Sequence, residues 1–234
     1  MLVSAEIELG SHLKGIRLMA DKIQSAYKDS KNIYDDVLTQ GNFFSKLYIR
    51  FFWSGTDDNE IARKVLSYIP DDFNGKLLDV PVGTAVFTEK KWKRLNNADI
   101  TCLDYSEDML EQARERIKEA HVNFIQGDVG NLQMENETFD IVLSMNGFHA
   151  FPDKQKAFSE TNRVLKKGGK FIACFYIKDK SKRTDWLVNN ILSKKGWFTP
   201  PFQTEDELTK ILKQYYVAVD MHVDGSMVFF ECVK

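Results

Sequence analysis

With 234 residues, 43% hydrophobic and 28% charged, the sequence has enough apolar material for one sizeable core and lies far from the composition of a disordered chain. Its 32 basic and 34 acidic side chains sum to a formal charge of -2, which excludes the broad positive field that captures a nucleic-acid backbone.

In chain order, Met1 to Gly10 carries Glu6 and Glu8 and does not read as a signal peptide, and no apolar stretch is long enough to span a membrane. Phe44, Leu47, Tyr48, Phe51 and Phe52 recur at helical spacing, with Trp53 following. A second helix is expected from Asp57 or Asp58, with Ile61, Val65, Leu66 and Ile69 on one face and Pro70 ending it. Residues 1–74 are therefore read as a helical N-terminal cover, without strands.

From Lys76 the pattern changes to short apolar runs alternating with helices, the signature of a parallel sheet with crossover helices. Strands are expected at Lys76–Val80, Ile100–Asp104, Val122–Ile125, Asp140–Ser144 and Gly169–Tyr176. Ser106 is expected to cap one helix, and Lys154–Leu165 to form another. Residues 178–203 read as an irregular aromatic insertion suited to a lid, and the basic run Lys178 to Arg183 within it as a solvated face. Thr204 and Glu207 form a capping box for a helix through Leu212. Tyr216–Val223 and Ser226–Val233, joined by Asp224-Gly225, read as an antiparallel hairpin. The fold class is α/β, and residues 75–234 form its main domain.

Cys102, Cys174 and Cys232 lack the paired spacing of a zinc site or redox dithiol, which fits a reducing cytoplasm, and Cys102 and Cys174, inside apolar runs, are expected to be buried reduced thiols. His12, His121 and His222 have no convergent partners in sequence, and no metal is expected.

The first strand ends at Asp79 and releases the chain into a turn containing Gly83, where open α/β sheets bind ligands. Asp104 ends the second strand and suits two ribose hydroxyls. Asp128 follows the third and suits an adenine amino group. A nicotinamide dinucleotide would also use an acid after the second strand. The turn argues against it: Pro81 and Ala85 stand where glycines would help, and Asp79 would repel a pyrophosphate while suiting the ammonium of a methionine moiety.

Leu77-Leu78-Asp79-Val80-Pro81-Val82-Gly83-Thr84-Ala85, Cys102 through Leu110, Gly127-Asp128, Phe139-Asp140-Ile141-Val142, Gly147 through Lys154 and Arg163 through Gly169 together resemble the class I methyltransferases, in the small-molecule branch that includes the ubiquinone and menaquinone C-methyltransferases. The resemblance covers residues 75–176. It implies a Rossmann-like, seven-stranded, mostly parallel sheet and S-adenosylmethionine as cofactor. It also implies that Asp79, Val80, Gly83 and Thr84 hold the methionine portion, Asp104 and Tyr105 the ribose, and Met109, Asp128 and Val129 the adenine. Met145 and Asn146 would lie near the sulfonium.

The expected activity is methyl transfer to a small, partly apolar acceptor. Orientation and exclusion of water provide much of such acceleration. If a base is used, His149 after the fourth strand is the first candidate, with Tyr34 and Tyr48 behind it. The competing readings are a regulatory protein that binds the cofactor without transfer, and a nicotinamide oxidoreductase.

Overall fold

The computed structural model describes residues 58–118 and 121–234. The aromatic helix expected around Phe44 to Trp53, Tyr34, Tyr48, His12 and the rest of the cover before residue 58 lie outside the described residues.

Helix α1 (Asp58–Ser67) buries Ile61, Ala62 and Val65, as its 3.6-residue period requires, and Ile69 continues that face up to Pro70. It rests on the sheet, where Lys64 Nζ lies 5.7 Å from the Phe229 ring centre. Each such aliphatic side chain contributes roughly 1.5–3 kcal/mol on burial, enough to dock a ten-residue helix that would be marginal alone.

Seven strands follow: β1 (Lys76–Asp79), β2 (Asp99–Asp104), β3 (Val122–Gln126), β4 (Phe139–Met145), β5 (Leu165–Tyr176), β6 (Ala218–Asp224) and β7 (Met227–Val233). Their order across the sheet is β3-β2-β1-β4-β5-β7-β6. The pairings among β1 to β5 are parallel, whereas β7 runs antiparallel to both β5 and β6. This is the expected Rossmann-like sheet closed by a C-terminal hairpin. Strand order reverses between β1 and β4, which opens a crevice at the carboxyl ends of the strands.

Successive side chains on a strand face opposite ways, so the sheet has two cores. Leu77, Ile100, Leu143 and Ile172 join Ile61, Val65 and Trp92 on one side. Leu78, Val142, Phe171 and Phe230 join Phe148, Phe158 and Leu212 on the other. Cys102, Cys174 and Cys232 are buried free thiols.

The connecting helices are α2 (Glu89–Trp92), α3 (Glu107–Ile117), α4 (Lys154–Val164), α5 (Lys182–Leu187) and α6 (Glu205–Tyr215). Thr204 and Glu207 make the expected capping box at α6. At α3 the expectation fails in detail: Ser106 occupies the cap position, but its buried hydroxyl has no hydrogen-bond partner among the described residues. Its amide instead donates to Asp104 Oδ1 at 2.9 Å, so an acid on the preceding strand takes over the turn. The stretch 178–203 also differs from an irregular insertion. It forms α5 and a π-helical turn, Val188–Leu192, that buries Leu187, Val188 and Leu192 against the sheet.

Candidate functional site

The carboxyl ends of β1, β2 and β4 and the loop after β3 surround a cavity of about 480 Å³, within the usual range for a small-molecule or cofactor site. All eleven residues expected to hold the cofactor line it: Asp79, Val80, Gly83 and Thr84; Asp104, Tyr105 and Met109; Asp128 and Val129; Met145 and Asn146.

Asp79 ends β1 and is 1% exposed. Its Oδ2 accepts from the Trp92 indole N–H at 2.9 Å, whereas Oδ1 is buried without a hydrogen-bond partner among the described residues. Burial pushes this carboxyl up to about 7; the indole and the nearby Thr88 hydroxyl pull it down more weakly, and the Asp104 charge adds to the rise. Trp92 was missed in the sequence because α2 has only four residues, too few to show a helical period. Its fully buried ring fixes which Asp79 oxygen is committed.

Three residues beyond β1, Val82 N–H donates to Leu103 O at 3.0 Å, and Gly83 N–H donates to Asp104 Oδ2 at 2.8 Å. The turn is therefore stitched to the tip of β2. Gly83 has φ +55, and a Cβ placed on it would meet nothing within 4 Å, so open cavity lies where its side chain would be. Ala85, standing where a glycine would help, is held at φ 59.

Asp104 is buried and accepts from both Gly83 and Ser106 amides, one on each oxygen. Burial raises it to about 6, and the backbone donors pull the other way. Each carboxylate oxygen has a second acceptor position, so both can still receive a ligand hydroxyl. Asp128 caps the short 3₁₀ turn Val129–Asn131 by accepting from Gly130 N–H at 2.8 Å. Met109, Leu103 and Val129 give this end an apolar lining suited to a flat base.

Met145 and Asn146 leave β4 at the cavity wall, with Asn146 at φ 55 and its amide donating to Cys174 O at 2.7 Å. Phe87, Phe151, Pro152, Asp153 and Lys156 also line the cavity and had not been singled out as site residues. Their chemistry is mixed, and only the fold brings the turn after β1 against the start of α4.

His149 has a different placement from that of a base facing the site. It does not line the cavity. The ring is buried and stacks on Phe198 with centroids 4.0 Å apart, and its Nδ1 faces the Tyr176 amide at 3.4 Å. Burial, assisted by the neighbouring Lys154 charge, lowers it to about 3 and keeps it neutral. Among the described residues no cluster of His, Cys, Asp and Glu could hold a metal ion.

An unpartnered buried carboxylate oxygen, a glycine cradle and paired acids on adjacent strand ends fit the ammonium, hydroxyl and base groups of S-adenosylmethionine. Residues 78–173 match the family described as a methyltransferase domain. A 2-methyl-6-phytyl-1,4-hydroquinone methyltransferase of Oryza sativa subsp. japonica is 38% identical over 99 residues, covering 42% of this chain and 29% of that protein. Demethylmenaquinone methyltransferase of Thermotoga maritima is 31% identical over 126 residues, 54% of each. The chain thus spans about half the length, or less, of these relatives. Among solved structures, phosphoethanolamine N-methyltransferase 2 of Haemonchus contortus superposes with a TM-score of 0.69 at 18% identity, covering 92% of this chain and 60% of that one. A S-adenosylmethionine-dependent methyltransferase of Thermotoga maritima gives 0.66 at 18% identity, covering 91% and 99%. These likenesses show a shared fold. The matched segment builds both the core of the sheet and the turn beneath the cavity, and over it the chain is similar to the class I S-adenosylmethionine-dependent methyltransferases.

Proposed function

We propose that this chain transfers the methyl group of S-adenosylmethionine to a small, largely apolar acceptor. The observation that carries the proposal is the buried Asp79 Oδ1, without a hydrogen-bond partner among the described residues, at the edge of a cavity that Asp104 and Asp128 line from the next two strands. A buried acceptor that makes no hydrogen bond is costly, by about 1–3 kcal/mol, so a ligand ammonium is its natural complement.

In this reading Asp79, Val80, Gly83 and Thr84 hold the methionine portion, Asp104 and Tyr105 hold the ribose, and Met109, Asp128 and Val129 enclose the adenine. Met145 and Asn146 flank the reacting carbon. The bound cofactor supplies an electrophilic methyl; the chain's work is to orient an acceptor behind it and exclude water. Phe87, Phe151 and Pro152 supply apolar wall for that acceptor. The relatives named for hydroquinone and demethylmenaquinone methylation support an apolar, aromatic acceptor. No nucleic acid is invoked, and three buried thiols suit a reducing compartment such as the cytoplasm. His149 acts as a positioning residue, because a neutral, stacked imidazole outside the cavity has no route to an acceptor proton.

Transfer of labelled methyl to a panel of hydroquinones, phenols, amines and an RNA pool tests the reading. Label is expected in an apolar hydroxy-aromatic acceptor. Folded protein that fails to bind S-adenosylhomocysteine, or that labels only RNA, would sink it.

A further inference from the structure

Residues 178–195 carry six basic and two acidic side chains in a chain whose net charge is -2. Lys178 and Lys180 pair with Glu207 and Glu205. Lys182, Arg183, Lys194 and Lys195 are exposed. Between these basic pairs, Trp186 is 56% exposed and Ile191 is 37% exposed, although the same two helical turns bury Leu187, Val188 and Leu192 on the opposite side. An aromatic and a branched aliphatic side chain on the outside, flanked in sequence by four exposed basic residues, are not required by the core, which is already filled from the other face.

We propose that this outward face docks the chain onto an anionic phospholipid bilayer. An exposed indole on a segment rich in exposed basic side chains matches the interfacial region of such a surface, where Trp settles at headgroup level and Lys and Arg meet the lipid charge. Among the described residues no helix is long and apolar enough to cross a membrane, so the contact is peripheral. The segment leaves the carboxyl end of β5, at the rim of the sheet that bears the cavity. A short relay runs from Thr199, four residues beyond that segment, to the cavity wall. Thr199 N–H donates to His149 O at 2.8 Å, and Lys154 Nζ donates to Thr199 O at 2.5 Å and to Phe151 O at 3.1 Å. Phe151 is part of the cavity wall. The proposal rests on the apolar-acceptor reading above, since such an acceptor partitions into lipid and would be met there.

Sedimentation of the full chain with vesicles, without cofactor or acceptor, tests docking separately from catalysis. Vesicles of phosphatidylglycerol mixed with phosphatidylcholine are expected to bring the protein down at low salt and release it at high salt, whereas pure phosphatidylcholine leaves it in solution. Replacing Lys182, Lys194 and Lys195 together by Gln should weaken binding about a hundredfold, from roughly fivefold per basic residue near anionic lipid. Trp186→Ala should weaken it about tenfold while both variants keep the thermal shift given by S-adenosylhomocysteine. Absence of binding to anionic vesicles overturns the proposal, as do equal binding to neutral ones and undiminished binding by the Gln variant. If docking holds and methyl transfer fails, only the acceptor reading falls.

Discussion

Gly83 N–H donates to Asp104 Oδ2 across 2.8 Å, so the turn after β1 takes its position from the tip of β2. Asp104 Oδ1 holds Ser106 N–H in the same way, and both partners are donors. Asp104→Asn therefore turns one contact into donor against donor whichever way the amide faces. The expected loss of S-adenosylhomocysteine affinity is about 1–3 kcal/mol, roughly fivefold to 150-fold. Calorimetric titration measures it; affinity within threefold of the native protein would show that the turn is set by something else.

The pH behaviour of the ligand-free protein follows from three buried groups. Burial raises Asp79 to about 7 and Asp104 to about 6, whereas both titrate near ~3.9 in an unfolded chain. Above the unfolded value, native carboxyls retain protons that the unfolded chain has released, so their contribution to stability falls as pH rises through 6 and 7. His149 works in the opposite sense. Lowered to about 3, its native ring refuses the proton that an unfolded histidine takes near ~6.5, so its contribution rises with pH between those values. Melting temperature against pH should therefore fall more steeply between 4 and 6.5 in His149→Phe. The fall persisting above 6.5 should vanish in Asp79→Asn. An unchanged fall in the second variant would remove Asp79 from the account.

Cofactor affinity is expected to have the opposite pH slope, because an ammonium favours charged Asp79. Binding of S-adenosylhomocysteine should strengthen from pH 6 to 8 and release a proton at pH 6.5. Titrations in two buffers of different ionisation enthalpy detect that proton, and equal heats would show none.

The parallel strands were legible because each is a short apolar run ended by an acid or a turn residue, and Asp79, Asp104 and Asp128 mark three of those ends. Their convergence required only that strand ends share a rim. The Trp92 contact to Asp79 was not legible, since the indole comes from a four-residue helix thirteen positions away. Residues 178–203 misled for another reason. Their Trp and Phe residues serve different surfaces, with Phe198 stacked on His149 and Trp186 turned outward, so no single period emerges from the sequence. His149 follows the fourth strand as a site residue would, but proximity in sequence does not decide which face of the loop its ring takes.

Two glycines near the site separate binding from folding. At Gly147 a Cβ would lie 2.2 Å from Pro81 Cδ and 2.9 Å from Phe151 Cζ, so Gly147→Ala should displace the turn and cost the fold several degrees of melting temperature or more. At Gly83 the added methyl meets no atom. Gly83→Ala should cost only the left-handed backbone penalty, about 1–2 kcal/mol, while its methyl stands in the cavity. Thermal melts with and without S-adenosylhomocysteine should show Gly83→Ala folded but poorly stabilised by ligand. Full ligand stabilisation in that variant would move the cofactor away from this turn.

The role of His149 is decided by the size of the effect on turnover. A general base supplies about 10²- to 10⁴-fold, and its loss removes a limb of the pH profile. The buried ring instead stacks on Phe198, while its backbone oxygen accepts from Thr199 and so ties residues 198–199 to the loop beside the cavity. His149→Phe preserves the stack and that backbone bond, losing only the 3.4 Å contact to Tyr176 N–H. With the acceptor found by the panel above, kcat should stay within about threefold of native and the pH profile of kcat should keep its shape. His149→Ala leaves Phe198 without its partner and should raise KM more than it lowers kcat, because the wall beside Phe151 loosens while the reacting centre is untouched. A hundredfold fall in kcat for the Phe variant, with loss of the acidic limb, would restore His149 as the base.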